Sequence, residues 1–267
     1  MKSLRNYLLG LLALLLVLAL LVWFLPARWA RPWIEPQLHG LQLQQVHGTL
    51  WDGRSDQVMS AGGEPLGKLR WTLSRRALLG DARTQLFFDG PFLAFSGAAH
   101  RLAEQRVELH DLALTANLDK LSLPAASPLG RPGGELVVDA SHALLQGGWP
   151  LELQLHAQWR QARMHTDDGD VALGTLALQA QSHAGVIQAR LHDVGGGPLA
   201  AKGELQLSPL GWRLDATLSS RQTDPLLEHW LAKLGTPSAD GSVHVQRRGG
   251  LAGTLPAPLA EKDPAQP

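Results

Sequence analysis

Beyond Pro36 the chain alternates apolar and polar positions with a period of two. In "LELQLHAQW", Leu151, Leu153, Leu155, Ala157 and Trp159 fall on one side and Glu152, Gln154, His156 and Gln158 on the other. Successive strand side chains point to opposite faces, so the segment predicts a strand with one buried and one wet face. "WRLDATLS" repeats the pattern, with Trp212, Leu214, Ala216 and Leu218 against Arg213, Asp215, Thr217 and Ser219. Shorter examples are Leu69, Trp71 and Leu73, then Val107 and Leu109, then Leu205 and Leu207; residues 171–180 and 186–194 also read as strands. Turn signals separate them at Asp89-Gly90-Pro91, Gly133-Gly134, Gly147-Gly148, Asp168-Gly169 and Gly195 to Pro198. Such punctuation predicts a mainly β fold in which successive strands pair as an antiparallel meander, with one face in water. The expected body is an elongated, curved antiparallel sheet shaped as a trough.

Two segments depart from this period. Tyr7 to Leu25, which includes Leu8 and Leu16, carries no charge and is closed by Pro26. At about 1.5 Å per helical residue it is long enough for a hydrocarbon core of roughly 30 Å. A signal peptide has a shorter apolar core, about 7–15 residues, followed by small residues spaced A-x-A, and "PARWARPW" lacks that spacing. The segment therefore predicts an uncleaved transmembrane helix. Lys2 and Arg5 precede it, so the positive-inside rule, by a narrow margin over Arg28 and Arg31, favours a cytoplasmic amino end. Trp23 and Trp29 with Arg28 and Arg31 fit an interfacial belt; Trp33 fits either that belt or the start of the folded domain.

The second departure is "TDPLLEHWLAKLG". Thr223 or Asp224 suits the amino cap, Pro225 the first turn, and Gly235 the stop. Leu226, Leu227, Trp230, Leu231 and Leu234 form a helical apolar stripe. This short helix reads as the cover of one open end of the sheet's apolar face, or as a surface for a partner; a helix lying on a membrane is the sharper alternative. The resulting plan is a cytoplasmic tail over residues 1–6, a span over 7–25, an exterior β-rich domain over 26–250, and a proline-bearing flexible tail over 251–267.

Composition removes several function classes. Lys plus Arg and Asp plus Glu number 24 each, and this balance argues against a nucleic-acid partner. Cysteine is absent, which removes disulfides, thiolate metal sites and thiol nucleophiles. The eleven histidines are scattered, with no H-x-H on a strand face and no helical pair with a carboxylate, so they read as solvated. "DDGD" at Asp167 to Asp170 lacks the spacing and bidentate glutamate of a calcium loop and reads as a polar turn. There is no G-x-S-x-G and no phosphate-binding G-x-x-x-x-G-K-[ST]. No catalytic constellation, metal site or cofactor is expected.

"GLQLQQVHGTLWDG" stands between the apolar run and the strands. Leu41 and Leu43 share one face while Val46 and Leu50 take the opposite parity, which predicts an irregularity near Gln44-Gln45. Asp52-Gly53 predicts a tight hairpin turn, with Trp51 lying across it and shielding its backbone hydrogen bonds. The amino-terminal span, the motif of Gly48, Thr49, Trp51, Asp52 and Gly53, and the strand from Trp71 to Leu73 together resemble protein N of the type II secretion system. That resemblance implies a non-enzymatic, single-pass accessory protein of the bacterial inner membrane, with its bulk in the periplasm and other secretion components as partners. The fold is also similar to the groove-forming sheets of AsmA-like envelope proteins, which makes lipid handling in an open apolar groove the rival reading.

Overall fold

The alternation resolves into strands almost wherever it occurs. In the computed structural model, residues 21–29, 41–60, 62–121 and 129–250 are described. Most of the predicted span, including Tyr7, Leu8 and Leu16, lies outside them, as do Arg31, Trp33 and the tail from Leu251. Of the predicted span, residues 21–23 are helical. Among the described residues no helix is long and apolar enough to cross a membrane.

Thirteen strands follow one another in the sheet in the order they have in the chain, and every described pairing is antiparallel. The chain forms two compact units, residues 1–123 with 135–148, and residues 124–134 with 149–267, where the sequence reading treats 26–250 as one body. The first contains β1 (Gln42–Gly48), β2 (Asp52–Met59), β3 (Pro65–Leu73), β4 (Ala82–Asp89), β5 (Leu93–Ala103), β6 (Arg106–Asn117) and most of β7 (Arg131–Gln146). The second contains β8 (Trp149–Thr166), β9 (Gly169–His183), β10 (Val186–Asp193), β11 (Leu199–Ser208), β12 (Gly211–Ser220), helix α1 (Pro225–Leu234) and β13 (Val243–Gly250).

Two turn expectations need correction. Gly133-Gly134 is not a turn but lies within β7. Gly134 has φ 104, and a Cβ there would collide with the Gln161 and Arg160 carbonyls, so glycine here admits close backbone approach rather than chain reversal. Asp52-Gly53 likewise opens β2 instead of forming the hairpin turn. Gly48 pairs with Gly53, and Thr49, Leu50 and Trp51 make the reversal. The expected irregularity is present, because Gln45 has φ 53 in the middle of β1.

A contiguous apolar core occupies the second unit. Met164, Val171, Leu173, Leu199 and Leu218 from the strands meet Leu227, Trp230 and Leu231 of α1. Asp224 caps the helix, its carboxylate accepting from the Leu226 and Leu227 amides at 3.0 and 3.2 Å. Trp230 donates Nε1–H to the Leu129 carbonyl at 2.9 Å. Lys233, in the last turn, holds Asp168 of the β8–β9 turn at 2.9 Å. Leu227, Trp230 and Leu231 are therefore consumed by the core, Leu234 packs at its margin, and Leu226 stays exposed. Gly235 ends the helix with extended backbone.

Candidate functional site

The stretch "GTLWDG" builds a clamp. Gly48 takes φ 86, the left-handed region that turns β1 toward Thr49. The Thr49 amide donates to the Asp52 carbonyl at 2.8 Å, and the Asp52 amide donates to Thr49 Oγ1 at 3.1 Å. These bonds close a tight three-residue loop, and the hydroxyl residue is needed because its oxygen supplies the second acceptor.

The loop grips the chain leading into it from the amino terminus. Trp51 is buried, 5 % exposed, and donates Nε1–H to the Val22 carbonyl at 2.9 Å. The Val22 carbonyl, at the end of the helical residues 21–23, also accepts from the Leu25 amide at 3.4 Å, and the indole gives it a second, shorter bond. The Leu50 amide donates to the Leu25 carbonyl at 2.9 Å, and Pro26 bridges to Thr49. Ala27, next in line, is buried. Sequence reasoning places Trp51 over its own hairpin; the structure turns it instead onto a segment twenty-nine residues upstream.

Trp71 completes the clamp from β3. It pairs with Gly53 in register, and a Cβ on Gly53 would run into its six-membered ring, so the indole lies against a bare backbone. Its Nε1–H reaches the Leu50 carbonyl at 3.1 Å, while the Leu73 amide donates to the Trp51 carbonyl at 2.7 Å. Two indoles thus tie the loop to its surroundings through main-chain carbonyls. A hollow of about 530 Å³ opens beside it, with Arg54, Arg70, Trp71 and Phe87 in its wall.

Around the end of the amino-terminal segment the surface is apolar and basic. Trp23, Phe24 and Trp29 are exposed, and so is Arg28. The Arg75 guanidinium stands over the Trp23 ring, 4.3 Å from its centre, a cation–π contact. Arg75 opens a 3-10 turn over Arg75–Leu79, capped by Ser74, whose last two residues, Leu78 and Leu79, are 61 % and 88 % exposed. Trp23 is thus joined by Arg75, a residue that periodicity did not single out. The only sequence signal was the Arg75-Arg76 pair followed by an unpaired "ALL".

The remaining sequence-selected positions are dispersed. The helix residues Leu226, Leu227, Trp230, Leu231 and Leu234 belong to the second unit and the clamp to the first. The "DDGD" stretch is the β8–β9 turn, where Thr166 Oγ1 donates to the Gly169 carbonyl at 2.8 Å and His165 contacts Asp170 at 2.6 Å. Lys233 holds the Asp168 carboxyl below its usual range, with His229 adding a smaller contribution.

Fold and site together define an antiparallel β-meander protein whose first hairpin is built to hold an amino-terminal helical end. No curated protein and no solved structure matches this chain. The family model for protein N of the type II secretion system matches residues 39–246, which contain the whole clamp loop and all thirteen strands but for the last residues of β13. The chain belongs to that family.

Proposed function

We propose that this protein is a non-enzymatic accessory subunit of the type II secretion apparatus, held at the inner membrane by its amino-terminal segment and presenting its strands to other components in the periplasm. The carrying observation is the clamp with its surroundings. Trp51 and Leu50 bind the backbone of residues 22–25, and the exposed Trp23, Phe24, Trp29, Leu78 and Leu79 stand among Arg28, Arg75 and Arg76. Aromatic and leucine side chains beside arginines suit the headgroup boundary of a bilayer, where rings and guanidinium groups are both accommodated. In this reading the clamp prevents free swivelling about Pro26 and so fixes the strands with respect to the anchor.

The partner surface is the outer edge of β13. Of the two strands that end the sheet order, β1 is broken by left-handed Gln45, whereas β13 pairs with β12 over eight residues without a register shift. Beyond Val243, which Pro237 already bridges, such an edge accepts an added strand through main-chain hydrogen bonds. The experiment is a photo-crosslinking residue at Gln246, with one at Gln44 as comparison, in cells assembling the apparatus. A secretion component should be captured from position 246 and not from 44; capture of none from 246 would overturn the docking assignment. Brominated lipid in the same membranes should quench Trp23 and Trp29 fluorescence, and Leu78→Gln with Leu79→Gln should weaken the quenching.

A further inference from the structure

We propose that β5, β6 and β7 carry a binding site for a divalent transition-metal ion, zinc in the first instance, with Glu108, His110 and His142 as ligands. This inference rests on the first unit's own geometry and is independent of the family's role in secretion. Glu108 and His110 stand two residues apart on β6, hence on one face of the strand. His142 is brought beside them because it pairs directly with His110 across β6–β7, and His100 because it pairs with Glu108 across β5–β6. One potential ligand atom from each of Glu108, His110 and His142 lies within 4.8 Å of the others.

The spacing is close to that of a coordination shell. With metal–ligand bonds of about 2.0–2.1 Å, the edge of a tetrahedron is about 3.3–3.4 Å. His110 Nε2 stands 3.3 Å from Glu108 Oε2, and His142 Nδ1 stands 3.9 Å from Glu108 Oε1. Small side-chain rotations therefore suffice to close the shell. Side-chain exposures of 27 % for Glu108, 42 % for His110 and 32 % for His142 leave an ion a path from solvent.

Held by Asp81, His100 stands beside the three ligands. Its Nε2 lies 2.8 Å from Asp81 Oδ1, and a carboxylate only accepts, so in the neutral ring Nε2 bears the hydrogen. The lone pair of Nδ1 is then turned toward Glu108 Oε2 at 3.7 Å. Two acceptors facing each other attract a cation between them. A carboxylate that fixes a histidine tautomer is the usual second partner of a metal-binding imidazole. Asp81 is thus a positioning residue for His100, which stands where a fourth ligand would enter. Sequence inspection misses this site because its members are spread over three strands, and only the sheet register unites them.

The test uses the full chain without a polyhistidine tag, dialysed against Zn²⁺ and analysed for bound metal, with Co²⁺ as a spectroscopic probe. One equivalent of Zn²⁺ and the intense visible bands of tetrahedral Co²⁺ are expected. His110→Ala and His142→Ala should each weaken binding at least about tenfold, as should the isosteric Glu108→Gln, while Asp81→Asn should weaken it by about tenfold through His100. His156→Ala, on β8, should leave it unchanged. Circular dichroism matching the parent protein separates lost binding from lost folding. No stoichiometric ion in the parent protein, or undiminished binding when His110 and His142 are both replaced, would overturn the assignment.

Discussion

A single nitrogen, Nε1 of Trp51, shows how much one residue decides here. Its hydrogen bond to the Val22 carbonyl is direct, and the ring around it is buried. Trp51→Phe keeps most of the burial and removes the indole donor, leaving the Val22 carbonyl only the 3.4 Å bond from the Leu25 amide. That should cost about 1 kcal/mol, whereas Trp51→Ala, which also empties the cavity, should cost about 3–5 kcal/mol. Faster amide exchange at Leu50, whose N–H binds the Leu25 carbonyl, is the measurement for Trp51→Phe. Unchanged exchange there would show that the clamp is held by packing alone. From the sequence, the motif's glycines, threonine and tryptophan were legible as a turn with a ring over it. The ring's target was not, because an indole donor carries no sequence mark of the carbonyl it will find. Parity gave the irregularity at Gln45, while the turn lies three residues before the Asp52-Gly53 signal because Thr49 supplies the side-chain bonds that close it.

Between strands, the connection from β10 to β11 is organised by one carboxylate. Asp193 accepts from the Ala201 amide at 2.8 Å and the Gly195 amide at 3.0 Å, and is paired with Arg221. Burial alone would raise its carboxyl, but the Ala201 amide, the Arg221 guanidinium and the Gly195 amide outweigh it, and the net direction is down from 3.8. A carboxylate with a depressed folded-state value stabilises the fold above the unfolded-state value of about 3.9, and this contribution is lost as pH falls through the lower folded value. Asp193→Asn should therefore be less stable than the parent protein at pH 7, by about 1–3 kcal/mol. The gap should narrow as pH is lowered below about 4, measured by urea unfolding at successive pH values. A gap constant with pH would mean that shape, and not charge, is what Asp193 contributes. At this scale the sequence was most informative where alternation was clean, as in β8 and β12. It was silent for β7, whose leading glycines imitate a turn while serving close approach to the backbone at Arg160 and Gln161.

Across the molecule, the two units differ in how their apolar positions are covered. In the second, leucines and valines of β9, β11, β12 and β13 close on α1, whose Leu227 is wholly buried. In the first, the buried apolar residues among those described are Ala27, Leu43, Trp51, Val58, Ala116, Ala140, Ala143 and Leu144, mostly small or gathered near the clamp. Leu86 on β4, which pairs with Trp71 on the apolar face, remains 37 % exposed. Leucine-rich alternation could not distinguish these outcomes, since the same pattern serves a covered core and an uncovered face; among the described residues, α1 is what covers the strands of the second unit. Local opening is easiest where few apolar contacts must be broken. Amides of β9, β11 and β12 should thus exchange at the slowest rates in the molecule, and those of β3, β4 and β5 measurably sooner under the same conditions. Hydrogen–deuterium exchange read by mass spectrometry checks this, and equal protection in both sets would show that strand pairing, not side-chain cover, sets the stability of the first unit. If lipid covers Leu86 and its neighbours on the apolar face, as a groove-forming sheet would require, adding phospholipid should slow exchange in β3 to β5 and leave β9 to β12 unchanged; no slowing would leave secretion partners as the better account of that face.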